Sequence, residues 1–167
     1  MENKKFVVTS TMLASQGERF LNYIIDFAIQ YIVALIIGAT AVLIAQVTNW
    51  YAFSNWIANM NKFVEYFFGI VITLLYYALM EIYFSRTIAK YFTKTLVVMD
   101  DGSKPNVSTI VKRTLCRLIP FEALTFLGAD SRGWHDTLSE TYVVKKHKFN
   151  NEKQLFDSFD EIGKSGE

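Results

Sequence analysis

The segment GWHDTLSETYVV, residues 133–144, sets a histidine beside an aspartate, His135 and Asp136, behind Trp134. A His–Asp pair is part of many general acid–base devices, but it needs a nucleophile or an activated water to act on. No Ser or Cys motif adjoins it. His135 and His147 are the two histidines of the chain. They show neither H-x-x-x-H nor H-E-x-x-H spacing, so a zinc site is not expected. The single cysteine, Cys116, lies between Arg113 and Arg117. It reads as a small buried hydrophobe, with a thiol of lowered pKa as the alternative. The chain has no nucleophile elbow, phosphate loop or metal cluster. Neither enzyme activity nor a cofactor is expected. The 133–144 segment is expected to hold structure together, with Trp134 anchoring a loop at a membrane face. Asp136 would then cap a helix start or pair with an arginine.

A second set of polar residues stands inside apolar sequence. Arg19, Asn22, Asp26 and Gln30 follow one another at spacings of three, four and four, and so share one helical face. Glu65, Gly69, Thr73, Tyr77 and Glu81 recur every four residues and form another. Polar faces on neighbouring membrane helices avoid lipid by packing on each other or on a partner, and Gly69 would allow close approach. A carboxylate at membrane depth is a candidate for carrying a proton or coordinating a cation. Asp26 is the best placed for it. The alternative is structural, with Asp26 at the interface and paired to an arginine. Glu81 has two candidate partners, Arg86 or an arginine from the segment after 107. Glu65 is expected to be solvated.

These residues presuppose membrane helices. Hydrophobic residues make up 51% of the 167 residues, aromatic ones 16%, and the formal net charge is +1. That balance favours a bilayer and offers no global field for nucleic acid. Residues 27–47, FAIQYIVALIIGATAVLIAQV, carry no charge. At about 1.5 Å per residue they cross a hydrocarbon core of about 30 Å. The second span, 63–84, has a charge-free middle of only about 22 Å, so Glu65 and Glu81 fall at its edges. The first span is expected at about 20–47. No cleaved signal peptide is read in the first residues.

Residues 107–128 predict an amphipathic helix. Val107, Ile110, Val111, Leu115, Leu118 and Ile119 lie near one face, against Lys112, Arg113 and Arg117. Its length, with Pro120 and Glu122 inside it, suits an interfacial or re-entrant position better than a span. TKTLVVMD, 93–100, and ETYVVKK, 140–146, are β-branched and similar, and a strong turn, DDGSKP, follows the first. They are expected to pair on the cytoplasmic side. The expected fold is therefore a mainly α membrane protein: two transmembrane helices, an interfacial or re-entrant amphipathic helix, and a small cytoplasmic two-stranded element. Residues 1–146 would form the membrane domain and 147–167 a polar cytoplasmic tail. In that tail Leu155, Phe156, Phe159 and Ile162 could form one apolar face for a partner groove.

Lys and Arg set the orientation. Lys62 is the sole cation between the spans, whereas Arg86, Lys90, Lys94, Lys104, Lys112, Arg113 and Arg117 follow the second. Both termini are expected to be cytoplasmic, with 48–62 outside and Trp50, Tyr51 and Trp56 in an aromatic belt.

The order of these pieces resembles the RDD family of small bacterial membrane proteins, named for one arginine and two aspartates. RFLNYIID supplies Arg19 and Asp26, and GWHDTLSETYVV supplies Asp136. RTIAKYFTKTLVVMDDGSKP is similar to the connecting segment, although Arg86, Thr87, Ala89 and Lys90 stand where the family often reads G-x-T-x-G-K. RTLCRLIPFEAL is similar to the arginine-containing helix that follows. The resemblance covers about residues 15–146. It implies a location in the bacterial cytoplasmic (inner) membrane, with Arg19, Asp26 and Asp136 as the motif residues. Asn22, Gln30, Glu81, Arg86, Lys90, Arg113, Arg117, Trp134 and His135 form the candidate supporting network. Two functions are weighed. The first is a structural or regulatory subunit of a larger membrane complex, whose partners are the bilayer and membrane proteins or further copies of the chain. The second, implied by the resemblance, is an oligomeric cation/proton antiporter working through Asp26.

The topology is tested by cysteine labelling in a Cys116→Ser background. A cysteine replacing Asn55 should react with an impermeant maleimide in intact cells, and one replacing Asn151 only after permeabilisation. The reverse pattern would invert the topology.

Overall fold

The structure is a computed structural model that describes residues 5–128 and 131–165. Two long helices dominate it. The first, α1 (Gln16–Thr48), starts at a capping box: the Ser15 hydroxyl accepts from the Glu18 amide, and the Glu18 carboxylate accepts from the Ser15 amide at 2.7 Å. Its 33 residues measure roughly 50 Å at ~1.5 Å per residue. That exceeds the hydrocarbon thickness, so one end projects from it. A short helix, α2 (Ala52–Ala58), turns the chain, and α3 (Lys62–Phe84) returns under the cap of Asn61, whose Oδ1 accepts from Val64 at 2.9 Å. Trp56 of α2 meets Phe68 of α3 edge to face at 5.4 Å, closing the far end of the pair.

Both long helices are inside out relative to a water-soluble protein. The buried residues of α1 are Arg19, Asn22, Asp26, Ala41 and Ala45, and those of α3 are Tyr77 and Glu81. The large apolar side chains face outward: Phe27 is 60% exposed, Leu43 62% and Val47 83%. An apolar core helix would bury these groups, whereas a helix solvated by lipid exposes them and hides its polar face. Both helices are long and apolar enough to cross a membrane, and this polarity identifies them as membrane-facing. Gly69 does not serve the close approach expected of it. It is exposed, with open space where a Cβ would stand.

The remaining elements gather at one end of the pair. They are α4 (Ile88–Phe92), β1 (Thr95–Met99), α5 (Val107–Cys116), a 3₁₀ segment (Glu122–Leu127), α6 (Trp134–Leu138), β2 (Thr141–Lys145) and α7 (Lys146–Ser165). The two strands pair antiparallel with Val97 opposite Val143, as expected from their β-branched runs. Ser85 ends α3 in the left-handed region (φ 56°), and its carbonyl accepts from Val97 at 2.9 Å, fastening β1 to the end of the second span. Alternation along the strands gives the sheet two faces. Val97, Val143 and Ala14 are buried together on one side. Val98, Val144, Val8, Met12 and Phe149 are buried together on the other.

The 107–128 segment departs from the single helix expected there. Helix α5 stops at Cys116, a turn carries Pro120, Phe121 adopts φ 63°, and only then does the 3₁₀ segment begin. A proline removes one helical N–H and disfavours helical geometry before it. The buried face of α5 is also not the aliphatic one, although Lys112 stays exposed. Arg113 is fully buried with Ile110 and Thr114, while Val107, Val111, Leu115, Leu118 and Ile119 are exposed. Cys116 is half-buried beside them.

Residues after 146 begin as a helix that continues directly from β2. Phe149 lies in the sheet's core, and Phe6 packs edge-on against both Phe149 and Phe156. Phe156 therefore faces the chain itself rather than a partner. Leu155 and Phe159 are exposed, and the side chain of Ile162 lies outside the described residues. Truncating Phe149 to alanine should lower stability by about 3–5 kcal/mol, the usual cost of deleting a buried aromatic ring. Thermal melting in detergent reads this directly, with Phe159→Ala as the neutral control.

Candidate functional site

Where the two spans meet the β layer, polar side chains converge from α1, α3, α4, α5 and α6. The face of α1 is used rung by rung. Arg19 is nearest the helix start, and its Nη2 donates to the Asp136 carboxylate. One turn on, Asn22 accepts from the Thr93 hydroxyl at 2.7 Å and donates to Thr95 at 3.3 Å, joining α1 to the start of β1. Asp26 accepts from the hydroxyls of Tyr76 at 2.5 Å and Thr87 at 2.7 Å, and from the Ala89 amide at 3.2 Å. Gln30 accepts from Thr73 of α3 at 2.7 Å. The two spans are thus joined by two hydrogen bonds, Gln30–Thr73 and Asp26–Tyr76, the second from a residue beside the expected polar face of α3.

Two carboxylates carry the ion pairs. Glu81, fully buried, accepts from Lys90 at 2.9 Å, Arg113 Nε at 2.9 Å and Arg117 at 3.3 Å. Asp136, equally buried, is shared between Arg19 and Arg113. It also accepts from the Gly133 amide at 3.0 Å, which closes the first turn of α6. Arg113 is the common member. Besides both carboxylates, its Nη1 donates to Thr141 of β2 at 2.5 Å. One side chain of α5 therefore ties α3, α6 and β2. Arg117 rests its guanidinium 3.9 Å from the centre of the Tyr77 ring.

His135 turns away from solvent toward Glu122. Its Nδ1 contacts that carboxylate, its backbone amide donates to the same oxygen at 3.2 Å, and its Nε2 lies 3.4 Å from Arg19 Nη2. A neutral ring protonated on Nδ1 satisfies both ring contacts, donating to Glu122 and accepting from Arg19. The charge states agree. Burial pushes the His135 imidazole down to about 3, and the neighbouring Arg117 and Arg113 add to the fall. Burial works against the Asp136 carboxyl too, but Arg113 and Arg19 hold it well below the usual carboxylate range. Burial acts to lower the Arg113 guanidinium, and Asp136 and Glu81 outweigh it, raising Arg113 above its ordinary value. Lys90 is lowered, because burial there exceeds the attraction of Glu81. Gly133 is needed for space: a Cβ there would stand 2.9 Å from both Glu122 Oε1 and His135 Nδ1.

The expected residues are distributed unevenly over this network. Arg19, Asn22, Asp26, Gln30, Glu81, Lys90, Arg113, Arg117, His135 and Asp136 lie within it. Arg86 does not pair with Glu81. It stacks on Tyr91, 4.2 Å from the ring centre, because Lys90, one turn further on, reaches the carboxylate first. Among the described residues Asp26 has no arginine partner; its contacts are neutral donors. Trp134 is half-exposed, and its amide donates to Thr125 at 2.9 Å. Sequence reasoning missed Tyr76, Thr87, Thr141 and Glu122 as members. Glu122 in the apolar run IPFEALTFLG carried a signal, a lone carboxylate in a segment that should avoid one. The hydroxyls carried none, since Thr and Tyr are ordinary in strands and membrane helices. Among the described residues no His/Cys/Asp/Glu cluster fit to hold a metal ion occurs.

A family model described as the RDD family matches residues 13–140. Comparison with curated proteins and with solved structures gives no match. The matched span covers most of the chain and includes the network except for Thr141, so the chain belongs to the RDD family, a family of membrane proteins.

Asp136→Asn removes the counter-charge of two buried arginines and should cost about 3–5 kcal/mol, the penalty for breaking a buried ion pair from one side. Denaturant titration in detergent measures it. The His135 shift has a definite sign. A depressed folded pKa means that between about 6.5, the free-imidazole value, and about 3 the unfolded chain binds the extra proton. Stability is then full above about pH 6.5 and falls on acidification by up to about 1.4 kcal/mol per pH unit. His135→Gln should flatten that slope between pH 6.5 and 5; an unchanged slope would show that His135 is not its source.

Proposed function

We propose that this RDD-family protein is a non-catalytic structural or regulatory subunit of a larger assembly in the bacterial inner membrane, with both termini cytoplasmic. The observation that carries this reading is the saturation of the membrane-edge carboxylates. Glu81 has three cationic partners and Asp136 two. Groups held so completely brace a fold; they are poorly placed to release and rebind ions. What the molecule leaves unused is surface. The apolar flanks of both long helices are exposed along most of their length, as are Leu155 and Phe159 on α7. Lipid covers such flanks in a lone protein and partner helices cover them in a complex.

One observation favours a second reading, cation/proton exchange. Asp26 is buried, yet its contacts are Tyr76, Thr87 and the Ala89 amide, with no cation within ion-pair distance among the described residues. A buried carboxylate without a counter-cation beside it is a candidate ion-carrying group in a membrane protein. Two spans enclose no path, so this reading requires an oligomer.

The test is extraction of the tagged protein in gentle detergent, followed by native mass measurement. A stoichiometric complex with other membrane subunits supports the first reading. A pure homo-oligomer, together with cation-driven proton flux in proteoliposomes that Asp26→Asn abolishes at unchanged assembly, would replace it with the second.

A further inference from the structure

The carboxylates of the polar layer are saturated, but its arginines are not. A small cleft opens between the first turns of α1 and the 3₁₀ segment, with Tyr23 and Ala123 at its sides and Arg19, Lys90, Arg113 and Arg117 in its wall. Arg19 spends Nη2 on Asp136, Arg113 spends Nε and Nη1 on Glu81, Asp136 and Thr141, and Arg117 spends Nη2 on Glu81. Three donors of these same residues, Arg19 Nε, Arg113 Nη2 and Arg117 Nε, are buried and have no acceptor among the described residues. A buried guanidinium N–H without an acceptor is costly, and three around one cleft is a concentration of the same deficit. Two carboxylates also line the cleft. Asp26 has both oxygens engaged by hydroxyl and amide donors, and Glu122 is engaged by His135. The wall therefore offers three unused N–H donors, although its four cations are matched in number by the paired carboxylates Glu81 and Asp136 and the lining carboxylates Asp26 and Glu122.

We propose that this cleft binds a phosphate group, with Arg19, Arg113 and Arg117 donating to its oxygens. Guanidinium groups match the geometry of phosphate oxygens, and a tetrahedral anion accepts from several directions at once. On α1 the cleft is lined by residues between Arg19 and Asp26, immediately ahead of the charge-free stretch that begins at Phe27, and the end of such a stretch is where headgroup phosphates meet a spanning helix. Basic pockets between membrane helices on the cytoplasmic side suit anionic headgroups. Exposed Phe27, Leu124 and Leu127 beside the cleft would accommodate acyl chains. The same three donors would also accept free phosphate.

The experiment uses the full chain in detergent with three probes: phosphatidylglycerol, diacylglycerol with the same acyl chains, and inorganic phosphate. Native mass spectrometry reads lipid adducts and thermal melting reads phosphate. The expected result is one phosphatidylglycerol held per protomer in preference to diacylglycerol. Arg117→Gln should weaken retention about tenfold, the order of one lost charge-assisted hydrogen bond. Arg132→Gln should not, since Arg132 stacks on Tyr142 away from the cleft. Should Arg117→Gln fail to fold, Arg117→Lys keeps the charge, lacks the Nε donor and is read the same way. Stabilisation by inorganic phosphate without a lipid adduct, lost in the Arg117 variant, would identify free phosphate as the ligand of the same site. The proposal is overturned if no probe binds, if diacylglycerol is held as well as phosphatidylglycerol, or if the Arg117 variants bind as the wild type does.

Discussion

An ion at the edge of a hydrocarbon layer must find a counter-ion within the protein, because water is scarce there and an isolated charge is prohibitively costly. The chain Arg19–Asp136–Arg113–Glu81–Lys90 answers that requirement. Its members come from α1, α6, α5, α3 and α4, so satisfying the charges and assembling the fold are one event. Remove a link and two elements lose their register together. The two spans meet through few direct contacts of their own, and this network sets their position at one end as the Trp56–Phe68 contact does at the other.

The orientation of α5 follows from the same constraint. In water, the basic stripe of α5 would face solvent and its aliphatic stripe the core. Here Arg113 has two buried carboxylates to meet, so it turns inward with Ile110, while Lys112 stays exposed and Val107, Val111 and Leu115 turn outward. The orientation is consistent with α5 lying against acyl chains, since an aliphatic stripe of this kind is stable in lipid or under a partner. The two-stranded sheet then divides polar from apolar. Thr95 and Thr141, on one face, receive or offer hydrogen bonds to the spans' network. Val98 and Val144, on the other, close a small core with the N-terminal segment and α7.

Asp26 stands apart within the arrangement. Glu81 and Asp136 have arginines, whereas Asp26 has two hydroxyls and an amide. Its amide donor comes from Ala89 at the start of α4. Thr87, which could cap that helix with its own oxygen, donates to Asp26 instead. The carboxylate thereby braces the turn between the second span and β1, and, like Glu122 beside the neutral His135, it is held by neutral donors among the described residues.

Much of this was legible in the chain. The spans, the polar faces at intervals of three and four, the two β-branched strands and the resemblance to the RDD family all depend on local pattern, and helical or strand period converts such pattern directly into geometry. Asp136 was readable as an arginine partner, and it is one; it does not cap a helix beginning after it, but sits in the first turn of α6 and bonds back to the N-cap residue Gly133. Partner identity was not legible. Glu81 had several arginines after it in sequence, and the choice of Lys90, Arg113 and Arg117 over Arg86 depends on how the chain after Ser85 folds back. The same holds for Tyr76 and Thr87 at Asp26 and for Glu122 at His135, pairs separated by 13 to 61 residues. Sequence alone therefore determined which residues must leave lipid, because that is a property of each side chain and its period. Only the tertiary structure decided whom they meet, because an ion pair is selected by distance between elements, and no local period encodes that distance.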